Sequence, residues 1–539
     1  MTLRMLPLIA YVITPILFGL MCYIVPNRYT KTAATVLQVL LFMATLHAFS
    51  QLGTKNEIIQ LLSKHRLPAG MSLRLDYLSA VMLLLSNFLF MSMVIFSRHK
   101  GYMNKLFIFL FLSLHGIING IFLSNDLFNV YILVEVATVI VSILIMFKKD
   151  AMSMYDGMIY LLVNMVAMAF FLFGIAYVYK YFGLFDFIGI QNLMPLVTNP
   201  KPLFLPFTFL LTAVSLKAAV MPLFSWLPKA HGTASAPSIV SAILSGIFVK
   251  TGVYLLIRIT VLFDIALDVS PLLLWTGYGT AIAGFVFAIA QTDIKAILAY
   301  HTISQVGLMM IGLHSDTPFG YQGGVYHVIN HGIFKSLLFI IAGVMIEIYH
   351  TRNISQMKGM WWRSRWLSVA LIVAVLSITG APFFSGGFSK TMIAYGASAG
   401  LHANLLVFIG LGTMTSFVKF ILAIFKRENQ DHARFILPAN QKIGLGLLMV
   451  ACFVLGAFGE PINLYLMGNR FSLSWSYQMS KLFTYGAQYA FALLVYKIWL
   501  SKSPILRYLR RLELTFNSIM LALASFFAGT LAYLNLFLA

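Results

Sequence analysis

The residues that could do chemistry are charges set in apolar runs. Lys217 and Lys250 each lie near the middle of one of two long apolar stretches between residues 206 and 259. A lysine at mid-bilayer costs roughly 2.5–3.5 kcal/mol on insertion scales, so such a residue is expected to face a partner or a water path. Glu135, in NDLFNVYILVEVATVIVSILIMF, is the one acid deep inside such a run. Lys217 is its natural partner, because a buried glutamate and a buried lysine must both be satisfied. Separating such a pair changes the proton affinity of both, which makes a switch. In YHVINHGIFKSLLFIIAGVMI, His327, His331 and Lys335 follow at i, i+4 and i+8, on one face of a helix. They would span about 12 Å along its axis. Imidazole both gives and accepts a proton near neutral pH, so the line reads as a relay. A metal reading of the two histidines lacks the intervening acid of a zinc-protease helix. His301 and Ser304, three apart, would share a face and either hold water or pack. Lys390, in ITGAPFFSGGFSK, would end a path or snorkel, with the path favoured. Lys419 lies nearer the end of its run and is expected to snorkel.

These charges need helices to hold them, and two of the helices should be broken. Pro222 lies five residues after Lys217 and removes a backbone donor from its run. Pro382 does the same to a later run, among Gly380, Gly386 and Gly387. Pro222-Leu-Phe-Ser225 recurs as Pro382-Phe-Phe-Ser385. On the expected spans these are the seventh and twelfth, so the copies would lie upside down to each other, as in inverted-repeat transporters.

Apolar runs of spanning length recur along all 539 residues, 60% of which are hydrophobic and 10% charged. The fold class is therefore an all-α polytopic membrane protein, with about 14–16 transmembrane helices. Spans are expected near residues 5–25, 32–50, 76–97, 104–123, 127–147, 157–180, 203–227, 236–259, 270–291, 294–314, 321–349, 366–394, 402–425, 443–465, 482–500 and 515–538. The first reads as a retained span rather than a signal peptide, whose core would be shorter. Loops after odd-numbered spans are richer in Lys and Arg, apart from the 51–75 loop with Lys55, Lys64, Arg66 and Arg74. The positive-inside rule then puts both termini outside the cytoplasm of a cell (inner) membrane. The net charge of +21 reflects these loops and argues against nucleic-acid binding. Cys22 and Cys452 lie far apart, and no ligand spacing for zinc or an iron–sulfur cluster is present. No phosphate-binding glycine pattern occurs, so no cofactor or metal is expected.

Several stretches taken together resemble a known family. They are LSNDLFNVYILVEVATVI, SLKAAVMPLFSWLPKAHGTASAPSIVSAILSGIFVKTGVYLLIR, DIKAILAYHTISQVGLMMIGL, GGVYHVINHGIFKSLLFIIAG and ITGAPFFSGGFSK. They are similar to the antiporter-like membrane subunits shared by respiratory complex I, membrane-bound hydrogenases and multisubunit cation/proton (Mrp) antiporters. The resemblance covers roughly residues 75–425. It implies that Glu135 is the helix-five glutamate, Lys217 its helix-seven partner and Lys250 the central lysine of helix eight. It makes His327, His331 and Lys335 the next ionisable group and Lys390 the helix-twelve lysine. It also implies a hydrated polar axis at mid-membrane, with broken helices seven and twelve in two inverted five-helix repeats. Among the branches, the D subunit of Mrp-type antiporters looks closest, because position 390 is a lysine rather than a glutamate. WLPKAH departs from the commoner WLPDAH at Lys229, and the tail beyond residue 470 is longer than in a compact member of that branch.

The resemblance divides the chain into N-terminal helices (1–103), a first repeat (104–260), a second, inverted repeat (269–426) and C-terminal helices (427–539). The expected function is proton translocation along Glu135, Lys217, Lys250, His301, His327, His331, Lys335 and Lys390, with Pro222 and Pro382 as the helix breaks. The expected partners are H+, Na+ or another monovalent cation, the lipid bilayer and other membrane subunits. Such a chain is a transport subunit, and part of an enzyme only if the complex is a redox enzyme. The alternatives are a proton-pumping subunit of a hydrogenase or complex I-like assembly, the membrane subunit of an inorganic-carbon uptake complex, and a non-conducting scaffold.

Overall fold

The computed structural model describes residues 5–25, 29–53, 56–62, 70–232, 236–397, 400–427, 434–512 and 515–538. Lys55, Lys64 and Arg66 lie outside them. Among the described residues, twelve helices are long and apolar enough to cross a membrane, by length and composition. Four expected spans fall outside the twelve, each for a physical reason. The run at 5–25 gives a 17-residue helix, Leu8–Ile24. The runs at 203–227 and 366–394 are each broken in two. The run near 482–500 lies in a helix with a polar stripe, Trp475–Ile498.

The chain forms two compact units. The first opens with α1 (Leu8–Ile24), α2 (Thr30–Leu52) and a hairpin of β1 (Glu57–Leu61) and β2 (Ser72–Asp76), paired from Glu57 with Asp76 to Leu61 with Ser72. It continues through α3 (Tyr77–Ser97), α4 (Lys105–Leu123), α5 (Leu127–Ile145), α6 (Ala151–Phe182), α7 (Phe187–Leu193), α8 (Lys201–Lys217) and α9 (Trp226–Gly232). Next come α10 (Ser238–Ile243), one π-helical turn (Leu244–Phe248) and α11 (Val249–Phe263), consecutive in sequence, of which Ser241–Gly246 belongs to the second unit. The second unit contains α12 (Ser270–Ala290), α13 (Ile294–Leu313), α14 (Pro318–Tyr349), α15 (Met360–Arg363), α16 (Arg365–Thr379), α17 (Ser385–Gly396) and α18 (Leu401–Ile424). It ends with α19 (Ala439–Ala457), α20 (Gly459–Met467), α21 (Trp475–Ile498) and α22 (Pro504–Arg511). The last helix, α23 (Phe516–Phe537), belongs to the first unit, where Phe527 packs against Phe170 and Phe209.

Many of the scarce acids sit at helix starts. Asp76, Asp126, Asp150 and Asp293 each accept a backbone N–H in the first turn of α3, α5, α6 and α13. An oxygen there satisfies a donor that the helix itself leaves open. Asp76 also takes a bidentate pair from Arg258 of α11, at 2.6 and 2.7 Å. Burial pushes its carboxyl up, but the Arg258 guanidinium and the Ser79 amide outweigh that and hold it down at about 2. A depressed carboxyl stabilises the fold above its ordinary value, and that contribution is lost as pH falls toward 2. We expect Asp76→Asn to cost about 3–5 kcal/mol at neutral pH, because it strands Arg258. Thermal unfolding in detergent should show the native chain losing stability below about pH 4, near the ordinary carboxylate value. The variant should be flatter there.

The two breaks share a backbone feature. After α8 the chain turns through Ala218–Ser225, with Ala219 at φ 58°. After α16 it turns at Gly380, φ 89°, and Phe383 adopts φ 67°. Positive φ is uncommon for side chains other than glycine, and it clusters where surrounding structure enforces it. The first break begins at Lys217, five residues ahead of the expected Pro222. Pro382 lies inside the second.

Candidate functional site: buried charges at two helix breaks

In the first unit, Lys217 is the last residue of α8 and is almost fully buried. Its ammonium donates to Thr138 Oγ1 at 2.6 Å and to Asn164 Oδ1 at 3.1 Å. Both oxygens are held ready for it. Thr138 spends its own proton on Val134 O, and the Asn164 amide donates to Tyr160 O. The Phe248 ring covers the ammonium at 4.7 Å, a cation–π contact. Glu135 is half-buried on α5, one turn before Thr138. Its charge acts on Lys217, but the hydrogen bonds of the ammonium go to the two neutral oxygens. Lys250 is wholly buried in the first turn of α11, directly after the π-helical turn. Such turns often occur at functional sites.

In the second unit, His327, His331 and Lys335 are all wholly buried on α14. His327 Nδ1 lies 2.9 Å from Ser389 Oγ of α17, and Nε2 lies 3.1 Å from Gln305 Oε1 of α13. The His331 ring is 6.3 Å from that of His327. Lys335 donates to Leu298 O of α13. His301 is wholly buried and stacks on Phe417 at 4.7 Å, and neither ring nitrogen has a hydrogen-bond partner among the described residues. Ser304 donates to Ala281 O, so it packs toward α12 and shares no partner with His301. Lys390 donates to Ile378 O at 2.6 Å, across the break at the C-terminal end of α16. A cation is favoured there by the exposed carbonyls and the helix dipole. Lys419 does not snorkel. It is buried and donates to Ala288 O, Ile289 O and Gln291 O, so it caps α12.

Thr138, Asn164, Gln305 and Ser389 were not foreseen as site residues. Their signal was present in the sequence, because a polar side chain in a spanning helix must find a partner.

Residues 124–418, more than half the chain, match the family described as "NADH:quinone oxidoreductase/Mrp antiporter, TM". The chain belongs to this family. It is 29% identical over 416 residues to the D subunit of the Na(+)/H(+) antiporter of Alkalihalophilus pseudofirmus, covering 74% of this chain and 82% of that protein. A chain in the structure of the Mrp complex from Dietzia sp. shares the fold, with TM-score 0.79 and 21% identity, over 90% of this chain and 99% of that one. A chain of respiratory complex I from Thermus thermophilus does so with TM-score 0.75 and 22% identity, over 91% of this chain and all of that one. This family member is a multi-pass membrane protein.

Proposed function

We propose that this chain is a proton-translocating subunit of a heteromeric cation/proton antiporter, most like the D branch of the family, in the cell membrane. The observation that carries the reading is the burial of Lys217, Lys250 and Lys335, with Lys390 half-buried, two of the four lying at helix breaks. Charges kept at that cost are best explained by an ion route. The route runs through Glu135, Lys217 and Lys250 in the first unit and through His301, His327, His331, Lys335 and Lys390 in the second. The likeness to the D subunit of an Na(+)/H(+) antiporter supports exchange of protons for sodium or another monovalent cation. The neutral oxygens around Lys217 support a shuttle, because they can hold the amine whether or not it carries its proton. Asp126 and Asp186 are bridged at the start of α5, and Asp293 and Asn353 at the start of α13, with equal spacing in sequence. That correspondence supports two inverted repeats. The distribution of Lys and Arg supports both termini lying outside the cytoplasm.

Purified complex in vesicles, with a pH-sensitive dye, tests the reading. Glu135→Gln and Lys250→Ala should each reduce proton movement by about 10²-fold while the subunits still copurify. Undiminished transport would make the chain a scaffold. The complex I fold likeness supports a second reading, a pumping subunit of a redox assembly. Copurifying nickel–iron or iron–sulfur subunits would favour it.

A further inference from the structure

Helix α21 lies beyond the residues that match the family, and it is too polar to count among the spanning helices. Its polar residues are not scattered. Gln478, Lys481, Tyr485 and Gln488 fall on one face of the helix and line a cavity of about 250 Å³. Lys390 and Thr379 line the same cavity. Leu482, Phe483, Phe491 and Leu494 are exposed on the remainder of α21, as a lipid-facing surface would be. At roughly 30 Å³ per molecule, the cavity has room for several waters.

The hydrogen bonding at its inner end is directional. Thr379 Oγ1 donates its proton to Val375 O at 2.6 Å, so the 2.7 Å contact with Tyr485 is donated by the phenol. Tyr485 therefore ties α21 to the last turn of α16, beside the Ile378 carbonyl that receives Lys390. Among the described residues, no carboxylate lines the cavity, while two lysines do. A metal cation entering would meet two ammonium groups and no counter-charge, at a dielectric where that repulsion is large. A proton exchanged with Lys390 adds no further charge, because it becomes the charge of that ammonium.

Building on the antiporter reading, we propose that this cavity is a hydrated, proton-only vestibule through which Lys390 exchanges protons with the aqueous phase. In it α21 is the outer wall, Lys481 excludes metal cations and Tyr485 is a positioning residue. The test uses the intact complex in vesicles, with Lys481→Cys and Phe483→Cys variants and a charged, water-soluble thiol reagent. The reagent should modify Lys481→Cys and cut proton transport about tenfold or more, within the range for losing a proton-transfer step. Phe483→Cys, on the opposite face, should keep its transport after treatment. Tyr485→Phe should shift the pH profile of transport with assembly intact. Lys481→Glu should make proton transport sensitive to added sodium, and Lys481→Arg should not. An unreactive Lys481→Cys, or full transport after its modification, overturns the vestibule. Lys390→Ala keeps the two readings apart. If it abolishes transport while modified Lys481→Cys still conducts, the vestibule fails and the antiporter reading stands. If Lys390→Ala conducts normally, the route itself is wrong.

Discussion

Lys217→Ala should lower proton transport by about 10²-fold or more in vesicles, with the chain still assembled in its complex. The change removes the ammonium held by Thr138 and Asn164, and it leaves no charge stranded against those neutral oxygens. The informative companion is Lys217→Arg. A guanidinium keeps the positive charge but does not give up its proton in a protein. It should therefore fail to restore transport. Rescue by arginine would mean that a fixed charge is enough, and the relay would be wrong. Thr138→Val should weaken transport less, because Asn164 still holds the amine. Each lost bond to a charged group is worth about 1.5–3 kcal/mol.

Gly252→Leu should disrupt the first unit. A Cβ at Gly252 would collide with the amide nitrogen of Ala218 and lie against the carbonyl carbon of Lys217, both backbone atoms at the first break. Backbone cannot move aside as a flexible side chain does. Overpacking of this kind typically costs about 1–3 kcal/mol, and more where the neighbour is rigid. We expect a lower melting temperature in detergent and less of the chain in membranes, and a smaller loss of the same sign for Gly252→Ala. A Gly252→Ala chain with the native melting temperature would show that α11 does not approach the break so closely.

Much of this arrangement was legible in the residues. Pro222, Pro382 and the glycines around Pro382 announce two interrupted helices, because proline and glycine act through the backbone itself. Lys217, Lys250 and the His327–His331–Lys335 line stand out because charge is rare in apolar runs. Less legible was where the first break begins. It starts at Lys217, and the positive φ of Ala219 has no signature in an alanine side chain. The π-helical turn before Lys250 was equally silent, since LSGIF reads as ordinary helix. The partners of Lys217 were hidden for another reason. Thr138 and Asn164 are common polar residues, and only the packing of α5 and α6 against α8 turns their oxygens toward the amine. Lys419 misled because its distance along the helix suggested an interface, whereas the frayed carbonyls of α12 lay within reach.

The last helix of the chain completes the first unit, with Phe527 seated between Phe170 and Phe209. Chains leave the ribosome from the N-terminus, and domains tend to fold in that order. Here the first unit must wait for Phe516–Phe537, which is synthesised only after the whole of the second unit, before Phe170 and Phe209 gain their third ring. A stop codon anywhere ahead of Phe516 would thus harm the unit that precedes it by more than two hundred residues.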